Sequence, residues 1–182
     1  MTVESNYPIS QCLQDIKGDL NFYGGKSTLS TLGTFFFSIA FKNFFWYRIS
    51  RYLFLKKNKS HFLKKFFLYR YGKLGGNEIS DRAIIGKRVN LPHPYGIVIG
   101  ADVIIEDDVT IFQQVTFGSH GRKNRPQEFP VVRSGAIIYS GAKIIGGITI
   151  GHNSVVGSNS VVLQDVPDNS MAAGVPASVR NG

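Results

Sequence analysis

From Ile79 to Val162 the chain places a large aliphatic or aromatic residue at a step of six, in three blocks: Ile79, Ile85, Leu91; then Ile99, Ile105, Ile111, Phe117; then Val132, Ile138, Ile144, Ile150, Val156, Val162. A small or β-branched residue recurs four places later (Ala83, Val89, Val103, Val109, Val115, Ala136, Ala142, Ser154, Ser160), and glycine often follows the large residue directly. A step of six matches neither the 3.6-residue turn of a helix nor the two-residue alternation of a strand. It fits short strands joined by tight turns, each rotating the chain by about a third of a circle, so that three hexapeptides close one coil and the large residues stack inside a prism. Thirteen repeats predict a parallel β-helix of a little over four coils. A β-sandwich would show irregular strand spacing and hairpin turns instead.

The period breaks twice. Between Leu91 and Ile99 the step is eight, which inserts two residues at His93-Pro94-Tyr95-Gly96; between Phe117 and Val132 a polar excursion runs through Ser119, His120, Arg122 and Arg125. Loops thrown out of a rigid solenoid are where function concentrates. Composition divides the chain near Gly75-Gly76-Asn77. Residues 1–77 hold 12 basic and 3 acidic residues and 18 of the 23 aromatics, whereas the remainder carries 9 charges of each sign. The expected organisation is a basic, aromatic-rich α-helical segment over 1–77 and a β-helix domain over 78–182 with an extended loop at 119–131. Cys12 is the only cysteine, which excludes an intrachain disulfide framework and a cysteine metal site and favours a reducing, cytoplasmic setting. The first 20 residues contain Glu4, Asp15, Asp19 and no apolar run, so they do not read as a signal peptide. The apolar stretch from Leu29 to Phe41 has 13 residues, short of the ~20 that a membrane span needs.

Four segments, Leu91-Pro92-His93-Pro94-Tyr95-Gly96-Ile97-Val98-Ile99-Gly100, Val115-Thr116-Phe117-Gly118, Val161-Val162-Leu163-Gln164-Asp165-Val166-Pro167 and Ala172-Ala173-Gly174-Val175-Pro176-Ala177, resemble the serine acetyltransferase branch of the hexapeptide-repeat acyltransferases. The resemblance implies a left-handed coil, a homotrimer, acetyl-CoA as acetyl donor in the groove between neighbouring prisms, no metal, and a site shared by two subunits. It places the catalytic histidine on His93 and its orienting acid on Glu78, where the family more often has Asp. For acetyl-CoA it implies Gly118, Ser119, Ser140, Gly141, Ser158, Ala173 and Gly174, with Arg180 and Lys143 as candidates for the phosphates. The chemistry agrees: attack of a hydroxyl on a thioester needs a base, and neutral imidazole with an unperturbed pKa of ~6.5 suits that task near neutrality. A carboxylate on the other ring nitrogen fixes the tautomer, and backbone N–H groups suit the developing oxyanion.

Two features depart from the serine enzymes. Where that branch has arginine, histidine and proline closing the long loop, this chain has Glu128-Phe129-Pro130, and the acid before the catalytic histidine is replaced by Pro92. An amino-acid acceptor needs a cation for its carboxylate and an anion for its ammonium, whereas a sugar hydroxyl needs neither. Short relatives with Phe/Tyr/Arg-rich N-termini resemble acetyltransferases of capsule, exopolysaccharide and O-antigen synthesis, so the expected acceptor is a sugar or surface glycan, with Tyr95 and Phe129 as a face for the ring and His120 and Arg125 near the substrate. L-serine is the alternative acceptor; a sugar amine and a non-enzymatic β-helix scaffold are further alternatives. A γ-class carbonic anhydrase needs three zinc-binding histidines, and His93, His120 and His152 stand in unmatched contexts. The N-terminal segment reads as two helices between Thr31 and Tyr71, broken near Lys57-Asn58-Lys59-Ser60. The first has an apolar face of Phe37, Phe41, Phe44, Phe45, Ile49, Tyr52 and Leu53, with Lys42, Arg48 and Arg51 outside it; the second repeats the style from Phe62. Packing on the prism end is one expectation, and peripheral contact of residues 31–71 with an anionic membrane is the other. No recognition motif points to nucleic acid.

Overall fold

The computed structural model describes residues 7–25, 27–56, 75–121 and 128–181. The repeat region winds into successive coils of two- and three-residue strands. The first coil holds β1 (Glu78–Ile79) and β2 (Ile84–Ile85), with a bridge at Asn90 on its third side. The second holds β3 (Val98–Ile99), β4 (Ile104–Ile105) and β5 (Thr110–Ile111), and the third β6 (Thr116–Gly118), β7 (Val131–Val132) and β8 (Ile137–Ile138). The fourth holds β9 (Lys143–Ile145), β10 (Thr149–Ile150) and β11 (Val155–Val156). The fifth holds β12 (Val161–Val162), a bridge at Val166, and β13 (Ser170–Gly174), from which β14 (Ala177–Asn181) folds back antiparallel. Strands one coil apart pair in parallel, giving three sheets in the orders β1-β3-β6-β9-β12, β2-β4-β7-β10 and β5-β8-β11-β13-β14.

Register follows from the repeat. Ile79 lies opposite Ile99, Ile99 opposite Phe117, Phe117 opposite Ile144 and Ile144 opposite Val162, so each large residue stacks on its equivalent one coil away. From Leu91 onward every one of these inward residues is at most 2% exposed, and each such burial contributes about 2 kcal/mol. Asp102, Asp108, Gln114, Asn153 and Asn159 sit in the left-handed backbone region at the corners, where short polar side chains are best tolerated. Gly141 takes the same place with φ 74°, and a Cβ there would collide with the Asn159 side-chain oxygen one coil up, so glycine is required on both counts. The coil also continues past Val162 through Val166 and Ala172, a step of four and then six, which a strict six-residue count misses.

The N-terminal segment departs from expectation in three ways. Among the described residues the helices are α1 (Ile9–Gly24), α2 (Thr28–Phe37) and α3 (Ile39–Leu55); the helix expected from Thr31 onward is divided at Ser38, and α1 was not foreseen. Ser38 enforces the division, because its N–H closes α2 on the Thr34 carbonyl at 3.0 Å while its hydroxyl accepts from the Phe41 N–H at 3.2 Å. Phe37 therefore ends α2 and is 82% exposed. The second expected helix lies outside the described residues.

Third, Arg48 and Arg51 are buried rather than outside the apolar face. The cause is the open end of the prism. Among the described residues no coil lies below the first, so its carbonyls lack ladder partners, and buried backbone polar groups must be satisfied. Arg48 donates to the carbonyls of Ile85 and Gly86, each at 2.6 Å, and to both carboxylate oxygens of Asp19 at 3.0 and 3.3 Å. Arg51 donates to the Ala83 carbonyl at 2.7 Å. The Tyr47 hydroxyl donates to the same oxygen at 2.7 Å and accepts from the Ile85 N–H at 3.1 Å; the Tyr23 hydroxyl donates to Val89 O at 2.8 Å and accepts from the Leu91 N–H at 3.0 Å. Burial raises the pKa of the Asp19 carboxyl, and Arg48 opposes that rise. The helices thus substitute for a missing coil.

Candidate active site

The eight-residue step lifts His93 out of the first coil while keeping its backbone tied. Pro92 and Pro94 restrict φ on either side, the Tyr95 N–H donates to His93 O at 2.8 Å, and the Gly96 N–H donates to Gly75 O at 2.9 Å. The Asn77 side chain braces the insertion, donating to Pro94 O at 2.6 Å and accepting from the Ile97 N–H at 2.8 Å. His93 is exposed on this braced turn. Its ring lies 6.3 Å from that of Phe112, which stacks on Tyr139 at 5.1 Å. These three residues occupy the same corner of successive coils. Farther along that corner the side chains shrink to Gly157 and Ala173, where a Cβ on Gly157 would lie 3.1 Å from that of Ala173.

Several residues read from the sequence gather at this corner. Ser140 and Gly141 follow Tyr139, the Ser140 hydroxyl donates to that of Ser158 one coil up at 3.4 Å, and Ala173 and Gly174 end β13. Lys143 opens β9 just past the corner, with its ammonium on Gln114 O. Glu78 opens β1 in register with Val98 and is exposed; among the described residues no hydrogen bond joins its carboxylate to His93. Gly118, Ser119, His120 and Phe129 stand at the opposite end of this face. Gly118 ends β6, and Phe129 lies over Gly100, where a Cβ would come within 3.0 Å of its ring. Tyr95 and Phe129 therefore flank opposite ends of β3 in one protomer. Arg180 is exposed on β14 opposite Met171, at the far end of β13 from Gly174. His152 is an exposed corner residue whose N–H donates to Asp168, and Arg125 lies outside the described residues.

Between the His93 insertion and the α2–α3 junction lies an open cleft of about 490 Å3, with Tyr23, Phe37 and Ile39 on one side and His93, Pro94 and Tyr95 on the other. Among the described residues, its lining includes no Asp, Glu, Lys or Arg. Sequence reasoning missed Tyr23, Phe37, Phe112 and Tyr139 as neighbours of the site. For Phe112 and Tyr139 a signal existed: each directly follows an inward residue of the repeat, a position the period makes outward-facing. For Tyr23 and Phe37 none did, because only tertiary docking of the helices brings them there.

The bacterial transferase hexapeptide family (six repeats) matches residues 129–164. A serine acetyltransferase of Buchnera aphidicola subsp. Acyrthosiphon pisum is 40% identical over 133 residues, which are 73% of this chain and 48% of that protein. The chain spans about half the length of the curated relatives it matches. Among solved structures, a serine acetyltransferase in complex with CoA is 32% identical with a TM-score of 0.80, over 94% of this chain and 70% of that one. Soybean serine acetyltransferase complexed with serine is 27% identical with a TM-score of 0.81, over 93% of this chain and 69% of that one. The prism is thus the left-handed parallel β-helix of these enzymes, preceded by helices. The chain belongs to the hexapeptide-repeat transferases, in their serine acetyltransferase-like branch.

Proposed function

We propose that the chain is an acetyl-CoA-dependent O-acetyltransferase with His93 as general base. The observation that carries this reading is an exposed imidazole on a braced insertion, at the foot of a corner lined by small residues. Such a corner suits an extended, narrow donor: Ser140, Gly141, Ser158, Ala173 and Gly174 offer backbone and hydroxyl groups without bulk. Acetyl-CoA, when bound there, supplies the thioester carbon. His93 takes the acceptor's hydroxyl proton as the new C–O bond forms, and returns it to the departing sulfur as the C–S bond breaks. Pro92, Pro94 and Asn77 hold the imidazole's backbone in place, and Glu78 is the proposed orienting carboxylate. The halves at the two ends of the β3 face suit a site completed by a second subunit, in keeping with a homotrimer.

For the acceptor, the comparisons favour L-serine over the sugar expected from the sequence, since the relatives reported above are serine acetyltransferases. One observation supports a sugar hydroxyl as a second reading: among the described residues, those lining the cleft beside His93 include no Asp, Glu, Lys or Arg to meet a zwitterion. Among the described residues of 31–71, the exposed apolar side chains of α2 support membrane contact, whereas Arg48 and Arg51 are internal and do not. No helix among the described residues is long and apolar enough to cross a membrane. The test of catalysis is thiol release from acetyl-CoA across L-serine, nucleotide sugars and glycans. His93→Ala should lower kcat by a factor on the order of 100 to 10,000; retention of full turnover, or no acetyl-CoA-dependent release by the intact protein, rejects this reading.

A further inference from the structure

Two aromatic rings stand between the proposed base and the small residues of its corner. Phe112, Tyr139, Gly157 and Ala173 are in strict register, one to a coil: the Phe112 N–H donates to Ile138 O, the Tyr139 N–H to Val156 O and the Gly157 N–H to Ala172 O. The rings of His93, Phe112 and Tyr139 form one file, with successive centroids 6.3 and 5.1 Å apart. Tyr139 is 38% exposed even though it stacks on Phe112 at an interplanar angle of 19°. Adjacent strands lie about 4.8 Å apart, so a donor resting on Gly157 has roughly 14 Å of corner to cross before His93, and most of that span runs past the two rings.

Reaction geometry fixes which part of the donor meets which ring. The acceptor oxygen lies about 3 Å from the imidazole nitrogen that takes its proton, and the thioester carbon about 3 to 3.5 Å from that oxygen. The carbon is thus roughly 6 Å from the imidazole, and on the corner side that distance brings it against Phe112. The sulfur and the adjoining amide of the donor then fall beside Tyr139, and both kinds of group pack favourably on aromatic rings. Because the two rings stack on each other, neither can turn aside for a longer chain without breaking the stack.

We infer that Phe112 and Tyr139 are specificity-determining residues for the transferred group: Phe112 closes the space beyond the acyl methyl, so that acetyl is accepted and longer unbranched acyl groups are excluded, while Tyr139 backs Phe112 and carries the thioester sulfur. This rests on the acetyl-CoA reading of the His93 corner and adds the acyl size that the corner admits. The transfer itself is unchanged, with the C–S bond broken, the C–O bond formed and the proton passed by His93 from the hydroxyl to the sulfur.

The test is equilibrium binding of CoA, acetyl-CoA and butyryl-CoA to the intact protein by calorimetry, with assembly followed by sedimentation velocity. The variants are Phe112→Ala, Phe112→Leu, Tyr139→Ala and Tyr139→Phe, with His152→Ala on another corner as control. The unaltered protein should bind acetyl-CoA at least about 10-fold more tightly than butyryl-CoA, the scale on which a filled apolar pocket rejects added methylenes. Phe112→Ala should bring that ratio below about 3 with CoA affinity little changed, and Phe112→Leu should give an intermediate ratio that decides the matter should Phe112→Ala fail to fold. Tyr139→Ala should lower the ratio and also weaken all three ligands by about 2- to 10-fold, through loss of the ring under the sulfur. Tyr139→Phe and His152→Ala should match the unaltered protein. CoA binding with an acetyl-to-butyryl ratio that neither Phe112 variant changes overturns the inference and leaves the acetyl-CoA reading standing. Disassembly of the Phe112→Ala or Tyr139→Ala protein overturns it as well, by assigning the rings to a subunit contact. Failure of the unaltered protein to bind CoA or acetyl-CoA removes the reading and the inference together.

Discussion

Replacing Arg48 by Ala tests whether the helices serve as the missing coil. Arg48 is 4% exposed and holds Asp19, the Ile85 carbonyl and the Gly86 carbonyl together. Its loss leaves a buried carboxylate with no counter-charge, which costs about 3 to 5 kcal/mol, and two edge carbonyls without donors, at roughly 1 kcal/mol or more each where water cannot reach. A total near 5 kcal/mol is expected, a large part of the roughly 5 to 15 kcal/mol available to a domain. The assay is urea unfolding followed by far-UV circular dichroism and Trp46 fluorescence at fixed protomer concentration, since association shifts apparent stability. The deficit should shrink as pH falls from 7 toward 5. Burial already raises the Asp19 pKa, and without the guanidinium it rises further, so the folded variant takes up a proton that the unfolded chain does not bind until about pH 4. Joint replacement, Arg48→Met with Asp19→Leu, should recover about half of the loss by removing the uncompensated charge. A deficit below about 1 kcal/mol for Arg48→Ala, or one that is unchanged between pH 7 and 5, refutes the reasoning.

Tyr23→Phe removes one donor and one acceptor from the strand leading to His93 and should cost about 1 to 3 kcal/mol in the same unfolding assay. Gly141→Ala should destabilise by at least about 1 kcal/mol, because φ is 74° and the Asn159 side chain fills the space, whereas Gly18→Ala in open space on α1 should stabilise by about 0.5 to 1 kcal/mol. At Glu106, burial opposes ionisation, but bonds from Arg133 and Ser134 outweigh it and hold the carboxyl below its usual range. Its stabilisation is therefore present above about pH 4.5 and lost as pH falls through the lower folded value. Glu106→Gln should cost about 0.5 kcal/mol at pH 7 and nothing near pH 3, read from denaturation midpoints across that range.

How much of this was legible depends on the range of the interaction that decided it. The prism was legible because each coil repeats the same local demand: an inward Ile or Val, a small residue four places on, a corner that tolerates left-handed backbone. Ile99, Ile138 and Ile150 announce their burial by spacing alone. The His93 insertion was legible as a break in that spacing. The roles of Arg48 and Arg51 were not, because helical periodicity weighs a guanidinium as a solvent-seeking group. Only the unpartnered carbonyls of Ala83, Ile85 and Gly86, about 35 residues downstream, make its burial favourable. Ser38 was overlooked for a different reason. It stands inside an apolar run of suitable period, and its capping geometry competes with helix continuation without altering that pattern.

The position of the candidate base in the first coil follows from the same demands. Two residues inserted in an inner coil would have to be accommodated by ladders both above and below. At this end of the solenoid the described residues form one ladder, and side chains stand in for the other: Asn77 on Pro94 and Ile97, Tyr23 on Val89 and Leu91. Those substitutes come from the glycine-rich junction and from the helices. An end coil that must be capped is therefore also one that can hold an irregular, exposed and braced turn, and the element that caps it lies within reach of whatever that turn binds. The basic surplus of residues 1–77 acquires a partly mechanical meaning on this view. Two of its arginines are spent on the backbone of the coil that carries His93, and the aromatic residue ending α2 stands across the cleft from that histidine.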